Sequence, residues 1–188
     1  MSDAAAAPAA TRPPVALYVH VPFCVSLCPY CDFVVYAGAA ARGPASRVDA
    51  FTAALLAEIT LRADAADAAF GRERIPLQSV YVGGGTPTLL ASASLASMLD
   101  LVRSRFGIAD GAEVTVEANP GPDERGSAAD LVAAGVNRLS LGAQAFDAGL
   151  LRRLGRRHRP EHVGAAVREA REAGIGSVSV DLLYDVPG

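Results

Sequence analysis

The chemistry in this chain starts at its three cysteines, Cys24, Cys28 and Cys31, in the run Tyr18-Val-His-Val-Pro-Phe-Cys24-Val-Ser-Leu-Cys28-Pro-Tyr-Cys31-Asp-Phe33. Thiolates spaced C-x3-C-x2-C on one loop can each take a different iron of a [4Fe–4S] cluster, leaving the fourth iron open to a ligand. Pro22, Phe23, Pro29, Tyr30 and Phe33 would limit solvent access and so influence the cluster's potential. A Cys3His zinc knuckle that adds His20 is the competing set. Against it, His20 falls inside a predicted strand, with the cysteines on the loop beyond. A reactive thiol pair is a third reading, although no basic cluster lies close in sequence to lower the thiol pKa. An odd number of clustered cysteines fits a reduced compartment better than a disulfide framework.

The elements that must position these thiols can be read from composition and periodicity. With 188 residues, 51% of them hydrophobic, the chain can bury one sizeable core, which excludes global disorder. Seventeen basic against 20 acidic residues give −3 with no lysine, so no nucleic-acid partner is expected. No stretch reaches the roughly 20 strongly apolar residues of a membrane span, so an integral membrane protein is not expected. Met1 to Pro14 is Ala/Pro-rich without the pattern of a signal peptide; residues 1–14 read as a disordered lead and the protein as cytoplasmic.

Val15–Val21, Ser79–Gly83, Glu113–Ala118, Val136–Leu141 and Gly176–Leu183 read as strands. Helical spacing separates them: Val48, Phe51, Leu55 and Ile59; Leu95, Met98, Leu99 and Val102; Val163, Val167 and Ala170. Ala37–Ser46 reads as a loop insertion. The βαβα alternation favours a parallel sheet with right-handed crossovers.

Parity within the strands is informative. Glu113, Thr115 and Glu117 share one face, as do Ser177, Ser179 and Asp181, Tyr18 and His20, and Ser140, Gly142 and Gln144. A side-chain-filled eight-stranded barrel would put branched apolar residues there. The polar rows instead predict an α/β fold in the form of an open, partial barrel with a ligand in its mouth. Because the sequence stops soon after the fifth strand, we expect residues 15–188 to be the N-terminal part of a barrel whose remainder and C-terminal domain are absent.

Three further features carry possible chemistry. The loop Gly83-Gly84-Gly85-Thr86-Pro87 lets backbone groups approach a ligand closely. Glu117 closes the third strand on its polar parity, before Asn119-Pro120. Arg152, Arg153, Arg156, Arg157 and Arg159 form one dense basic run, either a solvated face or a site for propionates or RNA phosphates.

Six ordered motifs together resemble the radical S-adenosylmethionine (SAM) superfamily, in the branch of oxygen-independent coproporphyrinogen III oxidases and heme chaperones. They are Tyr18 to Cys24, Gly83 to Thr88, Glu117 to Gly121, Asn137 to Phe146, Leu154 to His158 and Asp181 to Tyr184. The resemblance implies a partial (β/α)6 barrel and a [4Fe–4S] cluster on Cys24, Cys28 and Cys31. It implies SAM contacts from Tyr18, Tyr30, Gly84, Gly85, Thr86, Glu117, Gln144, Arg156 and Asp181, with a second SAM in some oxidases. One-electron reductive cleavage of SAM is the implied chemistry, leading in the oxidases to propionate decarboxylation.

Oxidases of this branch place a further cysteine two positions after the third. Cys31-Asp32-Phe33 takes the chaperone form, implying a protein that carries heme to membrane hemoproteins and need not turn over as an oxidase. His158 could ligate heme iron, but the family pattern Leu-Gly-Arg-x-His accounts for it without that role. Ala143 and Ala145 replace the family's Val and Ser. Asp185 stands where the family has Gly, so a turn requiring positive φ would be strained there.

Overall fold

The computed structural model describes residues 12–73 and 75–186, so the predicted lead falls outside the described residues as far as residue 11. All five predicted strands form one parallel sheet. They are β1 (Ala16–Val21), β4 (Leu77–Gly84), β5 (Ile108–Ala118), β6 (Arg138–Gln144) and β7 (Ser177–Leu182), hydrogen-bonded in the order β1-β4-β5-β6-β7. Two short strands, β2 (Phe23–Cys24) and β3 (Tyr36–Ala37), pair with each other beside it. The helices are α1 (Val48–Phe70), α2 (Ser92–Phe106), α3 (Ala128–Ala133), α4 (Ala148–Arg153) and α5 (Pro160–Ala173).

The apolar parity of the strands builds the core. Val80, Val82, Val114, Val116, Leu139 and Leu141 are buried together with Leu95, Met98, Leu99 and Val102 of α2 and Ala166 and Ala170 of α5. Each of these fully covered side chains contributes about 1.5–3 kcal/mol of apolar burial for a Val or Leu, which at Val102 outweighs the weak helix propensity of a β-branched residue in α2. Arg105 of α2 reaches Asp64 of α1 at 2.5 Å and ties the outer helices to each other. Ser127 and Asp147 cap α3 and α4 by accepting from the backbone N–H of Asp130 and Leu150.

The polar parity faces the other way and is knitted across strands. Tyr81 donates to Glu117 at 2.7 Å, Ser179 to Ser140 at 2.9 Å, and Arg138 to Thr115 and Ser179 at 3.2 and 3.0 Å. The buried hydroxyls of Thr115 and Ser140 and the half-buried Arg138 guanidinium are tolerated here because each finds a partner. Asp185 adopts φ 55°, the left-handed conformation anticipated for the position where the family carries Gly. Asp185→Gly should stabilise the chain by no more than about 1 kcal/mol, read as a small rise in melting temperature.

Candidate functional site

Every βα loop at the carboxyl ends of the strands contributes to one open cavity of about 240 Å³. Its lining includes all three cysteines, Tyr30, Gly84, Gly85 and Thr86 at the end of β4 and just beyond it, Glu117 and Asn119 at and just beyond the end of β5, Gln144, Arg156, and Asp181 on β7. Of the expected site residues, only Tyr18 stands outside it. Its ring stacks on Tyr81, centroids 6.0 Å apart, and its hydroxyl lies 3.0 Å from His20 Nδ1.

The cysteine loop is anchored at its first thiol. Phe23 is 2% exposed, packs edge-on against Phe51 of α1 and pairs in β2 with Tyr36, which fixes Cys24 beside it. Thr86 N–H donates to Phe23 O at 2.6 Å, and the Thr86 hydroxyl donates to Cys24 Sγ at 3.8 Å. Cys31 N–H closes a turn onto Cys28 O at 3.1 Å. Burial pushes the Cys24 thiol up, helped by the neighbouring thiols and Glu124 and opposed by the Thr86 hydrogen bond. That direction is the reverse of what an activated nucleophile requires.

The donor set suits a cluster rather than one ion. Among the described residues, no three His, Cys, Asp or Glu side chains are gathered tightly enough to share a metal ion. A cubane needs its three thiolates on three different irons. His20 is also occupied: Nε2 donates to Val34 O at 3.2 Å, so Nδ1 accepts from Tyr18. A Cys3His zinc site would have to break both bonds.

Arg156 is the charged centre of the cavity. Its Nη1 donates to Cys28 Sγ at 3.6 Å and to the Tyr30 hydroxyl at 3.4 Å, and its Nη2 to Gly142 O at 2.6 Å and to Asn119 Oδ1. Its Nε is buried and, among the described residues, lacks a partner. An orphan guanidinium donor in a cavity is suited to an anionic acceptor such as a carboxylate. Gly155, at φ 68°, lets this loop approach the cysteine turn, where an added Cβ would stand 3.1 Å from Pro29. Burial pushes the Tyr30 phenol up to about 12, so it stays protonated.

Glu117 is far from a solvated strand end. Its carboxylate accepts from Tyr81 at 2.7 Å and from Gly84 N–H at 2.9 Å, holding the glycine loop onto β5. Tyr81 is in turn raised to about 12, first by burial and then by its bond to Glu117. Asp181 accepts from Ser140 at 3.3 Å and faces the cavity. Sequence reasoning missed Asn119, which joins Arg156 to Thr86 and to the buried Glu124, with Nδ2 donating at 3.2 and 3.3 Å. Glu124 carried no periodic signal. Arg138, also missed, lies on the same parity as Ser140 and Gly142, and extending that row back by one position would have found it.

His158 is buried and its pKa is lowered to about 4 by burial first and then by Arg156, against the raising effect of its bond to Ala143 O, with His162 adding a further lowering. A depressed histidine contributes stability that is complete above about pH 6.5 and is lost as pH falls toward 4. The acid-side fall in melting temperature over this window should therefore be shallower in His158→Gln than in the native chain. No titratable carboxylate near His158 is needed for that slope.

The comparisons with known proteins agree with this geometry. The chain is 41% identical over 175 residues to the heme chaperone HemW of Escherichia coli, covering 93% of this chain and 44% of that protein. HemW of Mycobacterium tuberculosis is 42% identical over 175 residues, covering 93% and 43%. The solved structure of the E. coli coproporphyrinogen III oxidase HemN, a radical SAM enzyme, matches with TM-score 0.80 and 33% identity over 94% of this chain and 38% of that one. The chain thus spans less than half the length of these relatives. Residues 18–188 match the radical SAM superfamily, a family that implies SAM and a [4Fe–4S] cluster. With its cysteine loop, five parallel strands and carboxyl-end cavity inside that match, the chain belongs to the radical SAM superfamily.

Proposed function

We propose that this chain is the cluster- and SAM-binding part of a heme chaperone. The observation that carries the cofactor reading is the meeting of three thiols with a half-buried guanidinium whose buried Nε lacks a partner among the described residues, all in one cavity. Cys24, Cys28 and Cys31 hold the cluster. Arg156 binds the SAM carboxylate, Gly84, Gly85 and Thr86 line its amino-acid end, and Glu117 keeps that loop in place. Tyr30, Gln144 and Asp181 complete the contacts, while Tyr18, outside the cavity, acts through Tyr81, on which it stacks. When bound, the cluster supplies a single electron and an open iron. The chain's part is to orient SAM and exclude water from the thiols.

Heme is the proposed cargo and membrane hemoproteins the acceptors, in the cytoplasm. Support comes from the HemW relatives and from Phe33 at the position where the oxidases carry a further cysteine. Among the described residues no helix is long and apolar enough to cross a membrane. Residues 15–188 form the first part of a barrel that the rest of the protein continues. Coproporphyrinogen oxidation is the second reading, favoured by the HemN match.

Anaerobic reconstitution of the whole protein should give broad iron–sulfur absorbance and an EPR signal that SAM alters. Zinc in place of iron would overturn the cofactor reading. Heme titration should saturate, whereas multiple-turnover coproporphyrinogen decarboxylation would reject the chaperone in favour of the oxidase.

A further inference from the structure

We infer that His158 is a positioning residue whose imidazole clamps the bulge of β6 that turns Gln144 into the cavity. The inference rests on the reading of that cavity as the SAM site.

Strand β6 does not run straight to its end. Gly142 pairs with Asp181, but the next pairing is Gln144 with Leu182, so Ala143 is an inserted residue that throws the strand out of register. Beyond it Gln144 takes φ 64°, a left-handed conformation that a residue with a Cβ avoids unless its surroundings impose it. Ala143 and Ala145 on either side are buried, at 0% and 8% exposure, and Gln144 between them lines the cavity.

Three consecutive carbonyls are held there by three different groups. Gly142 O accepts from Arg156 Nη2 at 2.6 Å, Ala143 O lies 3.0 Å from His158 Nε2, and Gln144 O accepts from Leu183 N–H at 2.9 Å. Ala143 O also accepts locally from Ala145 N–H at 2.8 Å. Because a carbonyl can only accept, His158 Nε2 carries the proton and the ring acts as a neutral donor. Two of the three clamps come from the short loop Arg156–His158, so one loop fixes both the cation of the cavity and the bulge facing it.

His158 is 4% exposed, and its Cβ lies 3.5 Å from where a Cβ on Gly121 would stand, so the ring is wedged between the bulge and the loop after β5. A ring so enclosed, with Nε2 engaged, is not presented to a heme iron. Without the donor, Ala143 O keeps only its local Ala145 bond, so the centre of the bulge is free to relax toward a regular strand between the held carbonyls of Gly142 and Gln144, and a register shift of one residue would turn the Gln144 side chain out of the cavity.

The test uses the whole protein and two readouts. His158→Phe keeps a planar ring and removes the donor, while His158→Gln can restore one. His158→Phe should speed hydrogen exchange at the Ala145 and Leu183 amides without SAM present, and should weaken SAM binding, read from the EPR change of the reduced cluster, by roughly tenfold. Iron content should be unchanged, and His158→Gln should recover most of both effects. In a Gln144→Gly background glycine adopts the left-handed conformation unaided, so adding His158→Phe should cost little further affinity. Unchanged amide exchange in His158→Phe would overturn the clamp, as would an undiminished effect in the Gln144→Gly background. Should His158→Phe fail to fold, an affinity for His158→Gln no better than that of His158→Ala would overturn it too. Failure of the SAM reading itself would appear separately, as a native protein whose reduced cluster does not respond to SAM while the exchange effect persists.

Discussion

Cys28→Ala is expected to lose the cluster and keep the fold. Iron and labile sulfide in the reconstituted protein should fall to background, and the SAM-dependent EPR change should vanish with them. The melting temperature of the cluster-free chain should move by no more than about 3 °C, the effect of a substitution worth under ~1 kcal/mol. Two observations separate these outcomes. Cys28 is only half-buried, and its neighbour Leu27 is 66% exposed, so the turn lies outside the core that holds the sheet together. The turn is closed by its own backbone bond, Cys31 N–H to Cys28 O, which the substitution leaves intact. What the thiolate supplies is a bond to one iron, and a cubane held by only two thiolates exposes a second iron to exchange and loss. His20→Ala is the companion measurement. Because both ring nitrogens are committed to Tyr18 and Val34, iron content should survive that change. Cluster retained in Cys28→Ala, or lost in His20→Ala, would contradict the ligand assignment.

The sheet was legible because its physics is local. Alternation in Val114-Thr115-Val116 and the helical spacing of Leu95, Met98, Leu99 and Val102 each report a buried face directly, and all the apolar members of both sets are buried. The start of β5 was not legible: it begins at Ile108 rather than Glu113, since Asp110 and Gly111 interrupt the alternation. Nor were α3 and α4, of six residues each, which are too short to display a period. The pairing of β2 with β3 is specified by tertiary packing of Phe23 on Phe51 and leaves no periodic trace.

The site divides along the same line. Thiol spacing and the glycine loop are properties of contiguous sequence, and the cavity brings them together. Asn119, Glu124 and the clamp on Ala143 arise only when three loops meet, so no window of sequence contains them. Glu117 was legible by parity, yet its partners Tyr81 and Gly84 lie on another strand and convert it from a surface acid into a brace for the glycine loop.

That meeting of loops is most exposed to damage at Gly85, where Gly85→Ala should unfold the site and the core together. A Cβ there would stand 2.9 Å from the backbone N and C of Phe23 and closer still to its carbonyl oxygen. Backbone cannot swing aside as a flexible side chain can, so β2 must separate from the loop after β4. The bond from Thr86 N–H to Phe23 O, 2.6 Å long, then opens, and the buried Phe23 ring is pulled from its seat against Phe51. Overpacking of this kind costs about 1–3 kcal/mol, and the lost hydrogen bond about 1 more. For a chain of this length that is a fall in melting temperature on the order of 5–15 °C. Iron incorporation should fall too, because Phe23 adjoins Cys24 and Thr86 is the donor to its sulfur. Gly43→Ala is the control, since a Cβ at Gly43 meets nothing within 4 Å although φ is also unfavourable there, at 81°. Its cost is confined to backbone strain, about 1–2 kcal/mol, with iron content unchanged. Equal losses of iron in the two variants would mean that close approach at Gly85 is not what couples the glycine loop to the cysteine loop.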